Sequence, residues 1–319
     1  MVQAVALEHV RCELCGADNK TELCRVTDDE IEFPIVQCSQ CGLVYVTPRP
    51  DHASMYRFYP DDYYGEGANK FRSWIELLRR YDRRRMADTI ARDLPRQGAV
   101  IDFGCGRGSI LRLLAARGHA CCGVERSQEA AATARTIPGA SIVADIEATR
   151  LLPNESFDVA LFLHSLEHLH RPKAALQEAC RLLKPGGSAL LTMPNIRSFQ
   201  AIFGGKYWFH LEVPRHLYHF SPDTLRNMLA VCGFQVLSVE HFSFEQNPFG
   251  ALQTSLNMLG FAHNNLYEQL KSGRSGKRRI SIPEATCAVL LAYPALVLST
   301  LGSLYQRGAT ISVRARKVS

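Results

Sequence analysis

The sequence predicts an α/β fold in which helices cover both faces of a doubly wound, mostly parallel sheet. Short apolar runs alternate with helical stretches from Ala99 onward, which is the pattern of strands joined by crossover helices. A glycine-rich turn follows the first of these runs, and two pairs of cysteines occur in the first 50 residues. The cysteines add a small N-terminal zinc module to the expected sheet.

The 319-residue chain has the composition of an ordinary globular protein, with 46% hydrophobic and 21% charged residues. Its net charge of +6 is too weakly basic to indicate a nucleic-acid-binding protein by itself. A basic run without acids, formed by Lys271, Arg274, Lys277, Arg278 and Arg279, is typical of a solvated loop.

Cysteine usage and the N-terminus indicate the compartment. Four of the 11 cysteines form two close pairs, whereas the others are scattered without paired spacing. Scattered thiols are typical of a reducing cytoplasm rather than of a disulfide framework. Residues 1–10 also lack the basic start and apolar stretch of a secretory signal, so we expect a cytoplasmic protein.

We expect five segments along the chain. Residues 1–50 form the zinc module, residues 51–70 form a connector, and residues 71–245 form the α/β core. Residues 246–306 form a helical insertion before the last strand, and residues 307–319 supply that strand to close the core.

Seven segments of the core have the length and apolar pattern of strands. In chain order they are Ala99–Phe103, Ala120–Glu125, Ser141–Ala144, Phe157–Leu163, Ser188–Met193, Gln235–Phe242 and Ala309–Arg316. Helices are expected at Phe71–Leu94, Ile110–Arg117, Gln128–Arg135 and Ala174–Leu183. A further helix begins at Pro222, because Ser221 can cap it and proline suits its first position.

The two cysteine pairs are Cys12 with Cys15 and Cys38 with Cys41, and a glycine follows each pair. Four thiolates suit tetrahedral zinc, and the two-residue spacing lets each pair bind the metal from one tight turn. The long gap between the pairs lengthens the hairpin between the two turns. Since so small a segment cannot bury enough apolar surface to fold alone, we expect the zinc to be structural.

The glycine-rich turn contains Asp102, Gly104, Gly106 and Gly108. Glycines let the backbone approach a ligand closely, and the start of the next helix offers free N–H groups. Nicotinamide-dependent oxidoreductases share such a turn and therefore stay open as an alternative. The spacing departs from the dinucleotide fingerprint, because Ser109 stands where that fingerprint has its third glycine or alanine.

Two further acids follow the next strands. Glu125 ends the second predicted strand, where a carboxylate can accept hydrogen bonds from both hydroxyls of a ribose. Asp145 follows the third strand, where it could accept a hydrogen bond from an adenine amino group. With Asp102, these residues place an acid at the ends of three successive strands, which favours a nucleoside-containing ligand.

These motifs resemble those of the class I S-adenosylmethionine-dependent methyltransferases. Asp102 and the alternating glycines match the family's first motif, Glu125 its ribose acid and Asp145 its adenine contact. Phe157–Ala160 resembles the fourth strand, and Arg181–Gly187 resembles the turn into the fifth. The resemblance implies S-adenosylmethionine as methyl donor and a Rossmann-like methyltransferase fold whose seventh strand runs antiparallel to the sixth.

The segment after the fourth strand, which includes His164, Glu167 and His168, is where the resemblance places the acceptor. It lacks the Asn/Asp-Pro-Pro-Tyr motif of members that methylate nucleobases or glutamine, and its Glu-His pair resembles that of the ubiquinone-pathway O-methyltransferases. The resemblance implies transfer to a hydroxyl, with His168 as the candidate base and His164 beside the donor. A purely structural role for the pair, as a helix cap, stays open.

A divalent metal ion is another alternative at this place. On a helix His164 and His168 would share one face with Glu167 adjacent, and His216 or His219 could complete the set. The small-RNA 2′-O-methyltransferases resemble this arrangement, but they carry an acid where this chain has His164.

The residues expected to line the acceptor pocket are Trp208, Arg215, His216 and His219. Their surroundings resemble bacterial methyltransferases associated with cell-envelope glycans and lipids, which implies a small-molecule, glycan or lipid-linked acceptor. A zinc-ribbon nucleic-acid-binding protein, including an RNA methyltransferase, is an alternative of another class. It is disfavoured because residues 1–50 show no stripe of aromatic and basic side chains.

The insertion contains an uncharged stretch, residues 285–305, that is long enough for a membrane-spanning helix. Pro294 in its middle predicts a kink or a division into two helices, and the closing strand must return to the sheet, so spanning is not expected. Three interpretations stay open. They are a helical cap on the core, a homodimer interface, and docking on the inner membrane surface with help from the basic run.

Overall fold

The computed structural model describes residues 5–28, 30–59, 73–271 and 279–318. The strands in these residues are β1 (Leu7–Glu8), β2 (Lys20–Asp28), β3 (Ile31–Cys38), β4 (Val44–Val46), β5 (Arg49–Pro50), β6 (Ala99–Phe103), β7 (Ala120–Val124), β8 (Ala140–Val143), β9 (Phe157–Leu163), β10 (Leu183–Pro194), β11 (Tyr218–His219), β12 (Phe234–Glu240) and β13 (Thr310–Lys317). The α-helices are α1 (Ser73–Ala91), α2 (Ser109–Ala115), α3 (Gln128–Ala134), α4 (Pro172–Leu182), α5 (Phe199–Gly204), α6 (Pro222–Val231), α7 (Asn247–Met258), α8 (Asn265–Leu270) and α9 (Ile282–Leu304).

The chain divides into two compact units. The first, which we call the sheet unit, consists of the described residues of Trp74–Met193, Arg226–Glu240 and Ser312–Ser319. The second, which we call the cysteine–helix unit, consists of those of Met1–Ser73, Pro194–Leu225 and His241–Ile311. Each unit therefore joins segments that lie far apart in the sequence, and the predicted five-segment division stays a prediction.

The seven-stranded sheet, nearly all of which belongs to the sheet unit, has the strand order β12-β13-β10-β9-β6-β7-β8. The pairs from β10 to β8 are parallel, whereas β12 and β13 are antiparallel. This order confirms the predicted doubly wound, mostly parallel fold and the antiparallel last strand. The chain reverses direction across the sheet between β6 and β9, and ligands of such sheets bind at the carboxyl ends of the strands beside that reversal.

The predicted strands agree with the structure because their apolar runs are deeply buried. In β6 and β9, which have the predicted bounds, Val100, Ile101, Val159 and Leu161 are fully buried. Of these, Val100, Val159 and Leu161 form one core with Leu111 of α2. In contrast, β10 begins at its Lys-Pro-Gly-Gly turn, where a register shift against β9 extends the strand beyond the expected start.

The predicted helix bounds are correct to within a few residues. α1 ends before Leu94, because the N–H groups of Asp93 and Leu94 bond to carbonyls three residues back and tighten the last turn. Phe71, at the expected start of this helix, lies outside the described residues. Ser221 does cap α6, since its Oγ accepts a hydrogen bond of 3.1 Å from the backbone N–H of Thr224.

The cysteine–helix unit contains an antiparallel sheet of four strands in the order β11-β4-β3-β2. β2 and β3 form the hairpin expected between the cysteine pairs. β11 was not expected, and it pairs Tyr218 with Tyr45 of β4. The hydroxyl of Tyr218 accepts a hydrogen bond of 2.8 Å from Nη1 of Arg49, whose Nε lies 2.7 Å from Glu8. The N-terminal strands therefore share a sheet with the segment expected to line the acceptor pocket.

Helices complete the cysteine–helix unit. α7 packs against α5 and α9. α9 continues through Pro294 as one helix, so a division into two helices is wrong, whereas the kink that was the other expectation stays a prediction. In the described part of the chain, α9 is the one helix that is long and apolar enough to cross a membrane by length and composition.

Candidate functional site

The four predicted zinc ligands come together in the cysteine–helix unit. The Sγ atoms of Cys12 and Cys41 are 3.3 Å apart, those of Cys15 and Cys38 are 3.5 Å apart, and all four lie within 4.8 Å of one another. Such a cluster is compatible with a single zinc ion that four thiolates bind tetrahedrally, with no position left for a substrate. The site therefore fits a structural zinc.

The two turns that carry these cysteines have the same geometry. Gly16 and Gly42 both have φ of +77°, and their N–H groups bond to the carbonyls of Cys12 and Cys38 at 2.7 and 2.9 Å. Although burial opposes ionisation, N–H groups of Cys41 and Gln40 lower the pKa of Cys38 to about 7. A thiol that ionises readily is already close to the form that binds metal.

The glycine-rich turn of the sheet unit follows β6, beside the point where the chain reverses across the sheet. Gly104, Gly106 and Gly108 all have left-handed backbones, with φ of +82°, +55° and +73°. A Cβ at Gly104 would lie 2.6 Å from Cβ of Ser165, and one at Gly108 would lie 2.5 Å from Cδ1 of Ile137. Gly104 therefore permits a close approach to the loop after β9, while Gly108 lets α2 pack beside α3.

Asp102 is the buried acid of this turn. Only 4% of its surface is exposed, and its Oδ1 has no hydrogen-bond partner within the described part of the chain. Burial, and then the charge of Glu125, raise the pKa of Asp102 to about 7. Since buried polar atoms normally have partners, this carboxyl fits a ligand that carries positive charge and donates a hydrogen bond.

The other two predicted acids lie at the carboxyl ends of β7 and β8. Glu125 is buried, and its two oxygens accept hydrogen bonds from the N–H groups of Gly106 at 2.8 Å and Ser127 at 2.7 Å. It thereby ties the turns after β6 and β7 together. Asp145 is exposed and accepts a hydrogen bond of 2.7 Å from the N–H of Ala148. The structure thus brings all three acids to the same edge of the sheet, and their contacts with a donor stay a prediction.

The segment after β9 does not have the α-helical geometry that would place His164 and His168 on one face. His164 has φ of +54°, and Leu166–His168 forms a short 3-10 turn, so that interpretation is wrong. The N–H of His164 instead donates a hydrogen bond of 2.7 Å to the carbonyl of Thr192 on β10. The divalent-metal alternative therefore does not rest on a helical face, and it stays a prediction.

Within this segment, His164 and Glu167 are neighbours. Nδ1 of His164 lies 3.6 Å from Oε1 of Glu167, whose side chain is 1% exposed. The backbone N–H of His168 bonds to the carbonyl of Ser165 at 3.1 Å. Sequence reasoning missed Ser165 as a candidate residue, although it stands between the two histidines. Its buried Oγ has no partner within the described residues, and its Cβ faces Gly104.

The four predicted acceptor residues belong to the cysteine–helix unit. Trp208 is 1% exposed, and its indole N–H has no partner among the described residues. Arg215 donates to the carbonyl of Phe58 at 3.3 Å, and its Nη2 lies 3.2 Å from Glu212. Sequence reasoning missed the contact with Phe58, because Phe58 is distant in the chain.

His216 and His219 are both buried, with ring centres 6.3 Å apart. Nδ1 of His216 lies 2.9 Å from the carbonyl of His210, an acceptor that fixes the proton on that nitrogen. Sequence reasoning missed this contact too, because it depends on a local turn that no motif marks. The structure thus fixes the orientation of His216, and its predicted contact with an acceptor stays a prediction.

The fold and these residues agree with comparisons to known proteins. Residues 78–239, about half of the chain, match the family model described as a methyltransferase domain. The chain therefore belongs to this family of methyltransferases. In agreement with the glycine-rich turn and the three acids at the strand ends, it is an S-adenosylmethionine-dependent methyltransferase. This class disfavours the alternative of a nicotinamide-dependent oxidoreductase.

Two curated relatives carry the name ubiquinone biosynthesis O-methyltransferase. The protein of Azoarcus sp. (strain BH72) is 26% identical over 163 residues, which cover 47% of this chain and 68% of that protein. The protein of Pseudomonas aeruginosa (strain LESB58) is 32% identical over 131 residues, which cover 38% of this chain and 56% of that protein. The chain thus spans between 56% and 68% of the length of these relatives.

A crystal structure from Galdieria sulphuraria, of a protein assigned as a sarcosine dimethylglycine methyltransferase, is similar in fold. It has a TM-score of 0.51 and 16% sequence identity, and the match covers 83% of this chain and 98% of that protein. At this identity the likeness supports the fold alone.

Proposed function

We propose that the protein methylates a hydroxyl group of a small-molecule, glycan or lipid-linked acceptor. The observation that carries the donor half of this proposal is the buried Oδ1 of Asp102, without a partner in the described residues, beside the left-handed glycines. The O-methyltransferase names of the two curated relatives support a hydroxyl acceptor. S-adenosylmethionine supplies a methyl group that its sulfonium already activates, so the protein mainly positions the acceptor and removes a proton.

Three acids are proposed to bind the donor. Asp102 binds the positively charged amino group of the donor. That charge favours the ionised form of a carboxyl whose pKa burial has raised. Glu125 accepts hydrogen bonds from the ribose hydroxyls, and its two hydrogen bonds from backbone N–H groups fix the orientation of the carboxylate. Asp145, at the end of the neighbouring strand, accepts a hydrogen bond from the adenine amino group. His164 lies beside the same edge of the sheet through its bond to Thr192.

His168 is proposed as the base that takes the hydroxyl proton. The turn that carries it follows β9 directly, and the bond from its N–H to Ser165 fixes its backbone. Glu167 is buried, and its Oε1 lies 3.6 Å from Nδ1 of His164 in the same segment. A histidine base suits this step because its ordinary pKa lies near neutral pH.

Trp208, Arg215, His216 and His219 are proposed to bind the acceptor. Trp208 and Arg215 combine an apolar surface, an unpartnered indole donor in the described residues and a guanidinium group. Such a mixture suits an acceptor that carries hydroxyls or an anionic linkage next to apolar groups.

Two measurements test this proposal. Calorimetry with S-adenosylhomocysteine should show binding to the wild type and at least about tenfold weaker binding to Asp102→Asn, equivalent to about 1.4 kcal/mol. Asp88→Asn, which changes an exposed carboxylate on α1, is the matched control and should bind normally. Incubation with labelled donor and separated small-molecule, glycan and lipid fractions should then label one fraction at a hydroxyl. Binding of NAD(H) instead, or a label on nitrogen or carbon, would contradict the proposal.

A further inference from the structure

α9 leaves a row of large apolar side chains exposed. Their exposed fractions range from 38% to 84%, and they recur along one side of the helix. The members of this row, which we call the apolar face of α9, are Ile282, Val289, Leu290, Tyr293, Leu296, Val297, Leu301 and Leu304. Scattered apolar side chains are normal on protein surfaces, whereas a continuous face of this length marks a site of interaction.

The buried side of α9 carries polar or small side chains in place of large apolar ones. Its members are Glu284, Ala295, Ser299 and Gly302, and the helix packs against α7. Glu284 accepts a hydrogen bond of 2.8 Å from Asn265, and Ser299 lies 3.5 Å from Nε2 of Gln200. A helix at a water-exposed surface has the reverse pattern, with apolar residues inside and polar residues outside. The inversion indicates that an apolar medium or partner covers the outer face.

The contacts at both ends of α9 exclude a spanning orientation. Asn265 holds its first turn through Glu284, and Ser303 near its last turn donates a hydrogen bond of 2.9 Å to the carbonyl of His241. β13 then begins at Thr310, whose N–H bonds to Oδ1 of Asn247 at 3.1 Å. A helix that is fixed to its own unit in this way can lie on a membrane surface but cannot cross it.

The charges around α9 identify the kind of surface. Lys277, Arg278 and Arg279 precede it in the sequence, and Arg307 follows it. Of these, Arg279 is exposed, whereas Lys277 and Arg278 lie outside the described residues. The one acid within α9 is Glu284, which is buried. An apolar face with basic flanks is complementary to a bilayer that contains anionic lipid.

We infer that α9 docks the enzyme on an anionic lipid bilayer, with the helix in the plane of the membrane and its apolar face at the boundary of headgroups and acyl chains. This inference goes beyond the proposed methyl transfer, because it concerns a surface on which no predicted donor or base residue lies. It also disfavours the interpretation of the insertion as a mere cap, since a cap would bury these side chains against the protein.

Co-sedimentation of the full-length protein with vesicles tests the inference. Vesicles of phosphatidylcholine with phosphatidylglycerol should bind the wild type, and vesicles of phosphatidylcholine alone should bind it more weakly. The double variant Leu290→Glu with Tyr293→Glu should bind the anionic vesicles at least about tenfold more weakly, because negative charge replaces apolar surface that the bilayer would bury. Leu151→Glu is the matched control and should bind like the wild type, since Leu151 is 89% exposed but belongs to the sheet unit.

Folding and donor binding are checked in the same samples. Each variant should keep the circular dichroism spectrum and the S-adenosylhomocysteine affinity of the wild type, so failure of this inference is distinguishable from failure of the proposed function. If the glutamate variant does not fold, Leu290→Gln with Tyr293→Gln replaces it. Equal binding of wild type and face variant, equal binding to both kinds of vesicle, or no binding would overturn the inference. So would a wild-type dimer in sedimentation equilibrium that the face variant dissociates, without vesicle binding.

Discussion

The sheet unit and the cysteine–helix unit organise their functional residues in different ways. In the sheet unit each candidate acid lies at the end of a strand or just after it, so neighbouring strands bring Asp102, Glu125 and Asp145 to one edge. In the cysteine–helix unit the candidate Arg215 has a partner far along the chain in Phe58, and the segment that carries it pairs Tyr218 with Tyr45. Local motifs therefore carry the donor chemistry, whereas long-range pairing carries the expected acceptor chemistry.

The two units also differ in what their helices bury. α2 and α3 cover the sheet with Leu111, Leu114 and Ala134, all fully buried, as expected for helices on an α/β core. α9 instead buries Glu284 and Ser299 and exposes large apolar side chains such as Leu290 and Leu304. Burial pattern, and not apolar content alone, therefore separates α2 and α3 from α9, the helix that we propose docks on a bilayer.

The largest expected effect comes from removing the metal, which changes the cysteine–helix unit and not the sheet unit. Cys38→Ser should lose the zinc and unfold the four-stranded sheet, because structural zinc in small modules contributes about 10 kcal/mol or more to folding. Elemental analysis should fall from one zinc per chain to none, and limited proteolysis should cut the N-terminal strands. Cys24→Ser, which changes a cysteine outside the cluster, is the control. A zinc-free wild type that resists proteolysis would contradict the prediction.

The second effect tests the chemistry of the sheet unit. His168→Ala should lower turnover by roughly 10²–10⁴-fold, because the acceptor hydroxyl loses its base. Donor affinity should change little, which calorimetry measures independently. His119→Ala serves as the control, since its histidine follows α2 at the far end of that helix from the donor turn. A near-normal rate in the His168 variant would show that positioning alone suffices for transfer.

The third effect concerns the raised pKa of Asp102. Between about pH 4 and about pH 7 the folded protein binds a proton that the unfolded chain has released, so stability falls as pH rises through this window. Asp102→Asn removes this cost. In the donor-free protein at about pH 8, its free energy of unfolding should exceed that of the wild type by up to about 4 kcal/mol. The difference should disappear near pH 4.

The same residue predicts the pH dependence of donor binding. Wild-type affinity for S-adenosylmethionine should rise with pH through about 7, because the ionised carboxylate binds the positive charge. Calorimetry in buffers of different ionisation enthalpy should show proton release on binding near neutral pH. A pH-independent affinity would assign the unpartnered Oδ1 to another ligand group.

The residues explain how much the sequence could predict. β6 and β9 were predictable because continuous apolar runs are fully buried and end at a glycine turn or a histidine. The positive φ of His164 was not, since non-glycine residues seldom adopt that conformation and a histidine by itself does not mark it. β11 was missed because two residues form a strand only when a distant partner is present. The same limit applies to Arg215, whose contact with Phe58 joins residues 157 positions apart.

The smallest effect tests that long-range pairing directly. Burial raises the pKa of Tyr218 to about 12, so its hydroxyl stays neutral and accepts the hydrogen bond from the buried guanidinium of Arg49. Tyr218→Phe should cost about 1.5–3 kcal/mol in the free energy of unfolding, because a hydrogen bond to a charged group is lost and the donor stays buried. Urea titration measures this loss, and Tyr305→Phe, at a tyrosine that is 69% exposed, should leave stability unchanged. If Tyr218→Phe also leaves stability unchanged, Arg49 is satisfied by Glu8 without the tyrosine hydroxyl. Backbone pairing, rather than this side chain, then joins β11 to the N-terminal strands.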